Sequence, residues 1–476
     1  MTLSETSAIE PSAAFPPASR EDWLTLVERT LKGAPLESLT SRTLERLPIQ
    51  PLYEPAARPP LPARLTRGWD VRAIVRHPHP ASANAEAVQD LAGGASSLLL
   101  RIDPRSQAGV AVASAEALAD VLEGVLLDLA PVALDAGFLG AKAADWLAAA
   151  AKGAPAAPLL FHMDPVSAFA QAGASPGPMA AHLIACANVG ARLTAPYPKA
   201  GLFLASGRAA HEAGGGEALE LALAMASALA YAKALTRAGL PTLAAFERIV
   251  LGLAVDADYF VGVAKLRAAR LVWAKLTAAC GAEVPARIEA RSSARMLTAA
   301  DPWTNMIRLT AAGAAAAVGG ADAVALGAFT DALGLPTPFA RRQARNAQLV
   351  LMDEANLGRV IDPAAGSGYV EALTDELARA AWERLQMIEA AGGVIAALEG
   401  AFIASQAHEA RTELARRIES RELRVLGVTD FRTDDARPVD LAEAGDIPAG
   451  EAPSPRLPGP DSRCPPLTPI RLETLS

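Results

Sequence analysis

His162 stands two residues before Asp164, at the end of the apolar run Leu159-Leu160-Phe161. An imidazole near a carboxylate is an elementary unit of general acid–base chemistry. The C-terminal end of a buried parallel strand is where an α/β barrel would expose such a pair. His211 and Glu212 are a second pair by residue type. Adjacent side chains on a helix or strand point apart, so these two would not share one proton, and His211 reads as a rim or interface histidine. Arg208 and Arg291 supply guanidinium groups, which suit either a bound phosphate or a solvated surface. His77 and His79 alternate with Pro78 and Pro80. That pattern suits a turn and leaves a zinc site short of ligands. Cys186, Cys280 and Cys464 are far apart and form no CxxC pair, so they read as free thiols in a reducing compartment and not as metal ligands or a disulfide framework.

The elements that would position these residues alternate along the chain. Short apolar runs at 97–102, 132–135, 158–164, 191–194, 201–206, 249–255 and 286–291 read as strands. Helical periodicity falls between them, over 115–122, 141–151, 178–186, 217–238 and 259–281, and again from residue 304. Alternation of this kind implies parallel strands covered by helices. About eight strand–helix units fit between Trp69 and Gly334, the count of a (β/α)8 barrel. An open doubly wound sheet is the alternative, weakened because no GxGxxG follows the first strands. Ahead of the barrel, residues 1–65 read as a mobile leader, one helix from about Asp22 to Lys32, and an extended Pro-rich arm. The barrel is expected over 66–340, a helical segment over 341–425, and a Pro-rich tail over 426–476.

Composition excludes several classes. A net charge of −8 over 476 residues gives no basic face for nucleic acid. The apolar fraction of 51% raises the question of a membrane span. Alanine accounts for it, and no run reaches the ~20 apolar residues that a spanning helix needs. The Met1-Thr2-Leu3-Ser4-Glu5 start has no basic n-region, so a cytoplasmic protein is expected.

Three stretches resemble the methylmalonyl-CoA mutase family. The first runs from Arg341-Arg342-Gln343-Ala344-Arg345-Asn346 through Asp353-Glu354-Ala355-Asn356 to Asp362-Pro363-Ala364-Ala365-Gly366-Ser367-Gly368-Tyr369. The second is 264–273, which contains Lys265, Arg267, Arg270 and Trp273; taken alone, these cations suit an ion-paired face or an interface. The third is the turn Asp301-Pro302-Trp303-Thr304-Asn305. Trp23, Lys32-Gly33 and Pro51-Leu52-Tyr53 also match, so the likeness covers roughly residues 22–426. The resemblance implies a barrel that handles an acyl-CoA, a radical carbon-skeleton rearrangement and adenosylcobalamin as the radical source.

The departures from that pattern are specific. Catalytic chains read Ser-Gly-Tyr-His-Met-Gln-Glu-Ala-Gly, whereas this chain reads Ser206-Gly207-Arg208-Ala209-Ala210-His211-Glu212-Ala213-Gly214. The substrate-facing His is therefore Ala209, which cannot donate a hydrogen bond to a thioester carbonyl. The Thr-Met-Tyr…Arg-Pro segment is replaced by Arg67-Gly68-Trp69-Asp70-Val71-Arg72, and a His-x-Gln pair by Glu289 and Arg291. The last histidine, His408, stands in no Asp-x-His-x-x-Gly motif, so the flavodoxin-like cobalamin domain is expected to be absent from this chain. The resemblance thus implies the small, non-catalytic subunit of a heterodimer, stabilising a large catalytic subunit that binds the acyl-CoA and the adenosylcobalamin. His162, Arg208, His211, Arg287 and Arg291 would be vestiges at its barrel mouth. The alternative is a divergent acyl-CoA mutase barrel acting with a separate cobalamin protein, which the intact Arg287, Ser293 and post-barrel motif allow.

Overall fold

The computed structural model describes residues 18–61, 64, 66, 68–432, 437–445, 447 and 452–475. The leader expected at 1–20 lies outside these residues up to position 17, as do Pro62, Arg67 and Pro448.

Contacts divide the chain into two units, Met1–Tyr53 and Glu54–Ser476. In the first, helix α1 (Arg20–Leu31) starts at a capping box, with Ser19 Oγ accepting from the Asp22 N–H and the Asp22 carboxylate accepting from the Ser19 N–H. A small antiparallel pair follows, β1 (Ser41–Arg42) with β2 (Pro48–Ile49).

The second unit is built on eight strands: β3 (Asp70–Val75), β4 (Ser97–Arg101), β5 (Val132–Asp135), β6 (Leu160–Met163), β7 (Gly201–Ser206), β8 (Ile249–Val255), β9 (Ile288–Ser292) and β10 (Ala323–Ala325). They pair in parallel in sequence order, and β10 closes on β3. This is the (β/α)8 barrel, and closure excludes the open sheet. The outer layer comprises α2 (Pro80–Ala92), α3 (Ala115–Val121), α4 (Gly140–Ala150), α5 (Pro165–Ala172), α6 (Met179–Thr194), α7 (Arg208–Glu212), α8 (Glu217–Arg237), α9 (Thr242–Glu247), α10 (Tyr259–Ala279) and α11 (Asn305–Val318). The strand expected at 191–194 is instead the last turn of α6. Leu193 buries one side of that turn, and Thr194 Oγ1 donates to the Gly190 carbonyl. Helix α8 is long and apolar enough to cross a bilayer, but most of it is buried inside the protein. Its apolar character answers to core packing on β7 and β8.

After the barrel, β11 (Leu335–Pro336) leads into α12 (Pro338–Leu349), a π-helical turn (Val350–Glu354), α13 (Gly368–Ala390), α14 (Val394–Glu399) and α15 (Phe402–Glu419). Helix α13 buries Leu373, Leu377, Ala381, Leu385 and Ile388 on one face, at helical spacing. The three cations of α10 are buried and paired, so the ion-paired reading of that face holds. Lys265 bonds Glu217 and Glu220, Arg267 bonds Asp362 and Glu371, and Arg270 bonds Asp322. The Pro-rich stretch at 54–61 lies along the same joint: Arg58 pairs with Glu371 and Asp375, and the Leu61 N–H donates to Asp362.

The Pro-rich tail cannot form long helices or ladders, yet it is seated. Leu441 and Ala442 (β12) pair with β11. Residues 452–475 then cross the C-terminal end of the barrel. The Leu467 N–H donates to the Ala170 carbonyl, that of Ile470 to Glu212 and that of Leu472 to Arg295. Cys464 and Leu467 are buried there.

Candidate functional site at the barrel mouth

Side chains alternate along a strand, so residues two apart share a face. Arg72 and Asp70 on β3, and Glu289 and Arg291 on β9, are such pairs, and they face the lumen. Arg72 bonds Glu289, Ser97 Oγ at 2.9 Å and Asp70 at 2.6 Å. Glu289 accepts from Arg291 Nε at 2.5 Å, and Arg291 reaches Asp135 on β5 at 3.0 Å. In an eight-strand cylinder β9 and β5 stand opposite each other, so this ion pair spans the lumen. The barrel axis is therefore filled by a ladder of charges from Asp70 to Asp135. Burial alone would raise the Glu289 carboxyl, but Arg291 and Arg72 overrule it and hold it well below the usual carboxylate range.

Above the ladder lies a cavity of about 330 Å³, lined by His162, Asp164, Arg101, Arg208, Arg291, Asp135 and others, with Pro469 of the tail at its edge. His162 sits where the β6–β7 register shifts, and its φ of 44° is left-handed. A non-glycine residue in that region carries strain that the surrounding structure must hold. Its side chain is fully buried, with Nδ1 3.7 Å from Glu289. Burial pushes its pKa down to about 3 against the attraction of Glu289, so it is neutral near pH 7. Asp164 does not pair with it. Asp164 caps α5 through the Ser167 N–H and accepts from Tyr231 Oη at 2.5 Å, while burial lifts its pKa to about 6.

The other expected residues divide. Arg208 and Arg291 line the cavity. His211 does not, and it is neither at a rim nor at an interface. It is completely buried behind the mouth, with Nε2 2.9 Å from Ser293 Oγ and Nδ1 3.3 Å from Glu220. Burial and Arg295 oppose its charging, but Glu220 and Glu217 prevail and its pKa is raised. His211, Glu217 and Asp256 come close enough to hold a metal ion. However, Lys265 already answers the Glu217 and Glu220 charges, and Arg295 the Asp256 charge, which makes the group a structural ion-pair cluster. Glu212 points the other way, accepting from the Ala294 and Arg295 N–H groups and meeting Arg208 at 3.4 Å. Arg287 is a correction. It precedes β9 and so stands at the N-terminal end of the barrel, exposed and remote from the mouth.

Arg101, Asp135, Arg76 and Asp331 were not singled out from sequence, although Arg101 and Asp135 each terminate an apolar strand, which is the available signal. Ala209 is buried in α7. Gly207 before it is required by space, because a Cβ there would meet the Glu220 carbonyl at 1.9 Å.

The profile of the family described as methylmalonyl-CoA mutase matches residues 43–451. The methylmalonyl-CoA mutase small subunit of Streptomyces virginiae is 38% identical, over 95% of this chain and 77% of its own. That of Propionibacterium freudenreichii subsp. shermanii is 33% identical, over 91% and 72%. The large subunit of Streptomyces virginiae is 30% identical, over 93% of this chain and 66% of its own.

Proposed function

This chain belongs to the methylmalonyl-CoA mutase family, and we propose that it is the small, non-catalytic subunit of a cytoplasmic heterodimeric mutase. Its role is to bind and stabilise a large catalytic chain that interconverts methylmalonyl-CoA and succinyl-CoA. One observation carries this reading: the Arg72–Glu289–Arg291–Asp135 ladder crosses the lumen of its own barrel. A substrate thioester entering there would have to displace buried ion pairs, and breaking one such pair costs about 3–5 kcal/mol. Ala209 adds to it, since no imidazole stands at the position where the family polarises the thioester. The identities to small-subunit relatives support the same assignment.

Adenosylcobalamin does not fit this mouth. The cavity is about 330 Å³, too small for a corrin, and residues 467–472 are bonded across it to Ala170, Glu212 and Arg295. The nearest imidazole, His162, is wholly buried. In this reading the large chain carries the cofactor.

Sedimentation velocity tests the partnership. Mixed with its large methylmalonyl-CoA mutase chain and adenosylcobalamin, this chain should sediment as a one-to-one complex, with corrin absorbance following the large chain. Corrin absorbance retained by this chain alone, or two components that never combine, would overturn the assignment.

A further inference from the structure

We infer that the mouth cavity is a binding site for a compact oxyanion, a free carboxylate or phosphate, with Arg101, Arg208, Arg291 and His162 as its donors. The inference is independent of the subunit reading, because it concerns binding and not turnover.

Buried polar groups are normally paired, so each unpaired one calls for an explanation. Among the described residues, the buried side-chain polar atoms of the cavity lining left without a hydrogen bond are all nitrogens: His162 Nδ1 and Nε2, Arg208 Nε and Arg291 Nη2. Arg101 also lines the cavity, and its guanidinium has no hydrogen-bonded partner among those residues. The carboxylates there are already served. Asp135 accepts from Arg291, Asp164 from Tyr231 and Ser167, Glu212 from two backbone N–H groups, and Asp331 from Arg76 and Ala328. The buried unpaired atoms of the lining thus have no buried acceptor to meet them. A neutral imidazole offers one donor, and the guanidinium groups offer planar forks suited to an oxyanion.

Size narrows the ligand. About 330 Å³ is at the small end of ligand pockets. The ladder closes its floor and Pro469 borders it above, so the ligand is a free anion and not the end of a long thioester threaded down the axis.

Isothermal titration of the full chain with malonate and with inorganic phosphate tests this, with methylmalonyl-CoA as competitor. Saturable binding of at least one anion is expected. Arg101→Ala, at an exposed strand end, and Arg208→Gln should each weaken it about tenfold or more, the scale of one charge-assisted hydrogen bond. Arg287→Ala, at the far end of the barrel, should leave it unchanged, and all three variants should keep the parent melting temperature within a few degrees. Absence of saturable heat with both anions would overturn the inference, since water then meets the donors. Anion binding unaltered in both mouth variants, or displaced stoichiometrically by methylmalonyl-CoA, would overturn it as well. Mutase turnover by the chain alone would count against the subunit reading and leave the isotherm to decide this one.

Discussion

Glu289→Ala is expected to destabilise the protein by about 3–5 kcal/mol, because it strips the shared carboxylate from two buried guanidinium groups. Arg72 and Arg291 are 4% and 5% exposed, and Glu289 is fully buried between them. Without the carboxylate, Arg72 keeps Asp70 at its lower end and Arg291 keeps Asp135 at the mouth, and neither partner reaches the centre. Glu289→Gln should recover little, since it restores volume and not charge. Replacing the set together, with Arg72→Met, Glu289→Leu and Arg291→Met, should cost less than the single change. It removes the unpaired charges along with their partner, and Asp70 and Asp135 are partly solvated. Urea midpoints of the four proteins measure this. A loss below about 1 kcal/mol for Glu289→Ala would mean that water replaces the carboxylate and that the lumen is not sealed.

Arg267→Ala should have a comparable effect at a different place. Its guanidinium donates to Asp362 at 2.8 and 3.0 Å, to Glu371 at 2.7 Å and to Thr374 at 3.0 Å. Asp362 is held in a left-handed conformation, φ 45°, and also accepts from the Leu61 N–H. One side chain thus joins α10 to the post-barrel turn, to α13 and to the stretch at 54–61. The truncation leaves the buried Asp362 carboxylate without its cation and Glu371 with only the partly exposed Arg58, for a loss again of about 3–5 kcal/mol. Arg267→Lys should not rescue it, because an ammonium cannot reproduce the forked bonds. Hydrogen exchange should localise the change to residues 356–371 and 54–61, while the strands of the barrel stay protected. Unchanged exchange there would show that packing by Leu373 and Leu377 holds the joint without the ion pairs.

These two networks also mark what was legible in the sequence. Apolar runs such as Leu98-Leu99-Leu100 and 249–255 declare buried strands, and their alternation with helices implies the barrel. Strand β10, three residues long, carries almost no pattern of its own, and closure of the cylinder is what makes it a strand. The end of α6 misleads because Leu193 and Thr194 suit either element, and tertiary packing decides. The ladder could not be read at all, because Arg72 and Glu289 lie 217 residues apart and meet only once the barrel closes. His211 was misplaced for the same reason: its partners come from α8 and from the segments that follow β8 and β9. Arg287 was carried to the mouth by resemblance, whereas its position one residue before β9 sends it to the other end.

We propose a barrel that supports a reaction it does not perform. The most direct test is the methylmalonyl-CoA mutase rate, with adenosylcobalamin, of this chain alone, of its large partner alone and of the two mixed. No turnover is expected from this chain alone, and the mixture should show a rate that equals or exceeds that of the large chain and survives longer. Turnover by this chain alone would contradict it, since substrate would then be reacting in a barrel whose axis the Arg72–Glu289–Arg291 ladder occupies.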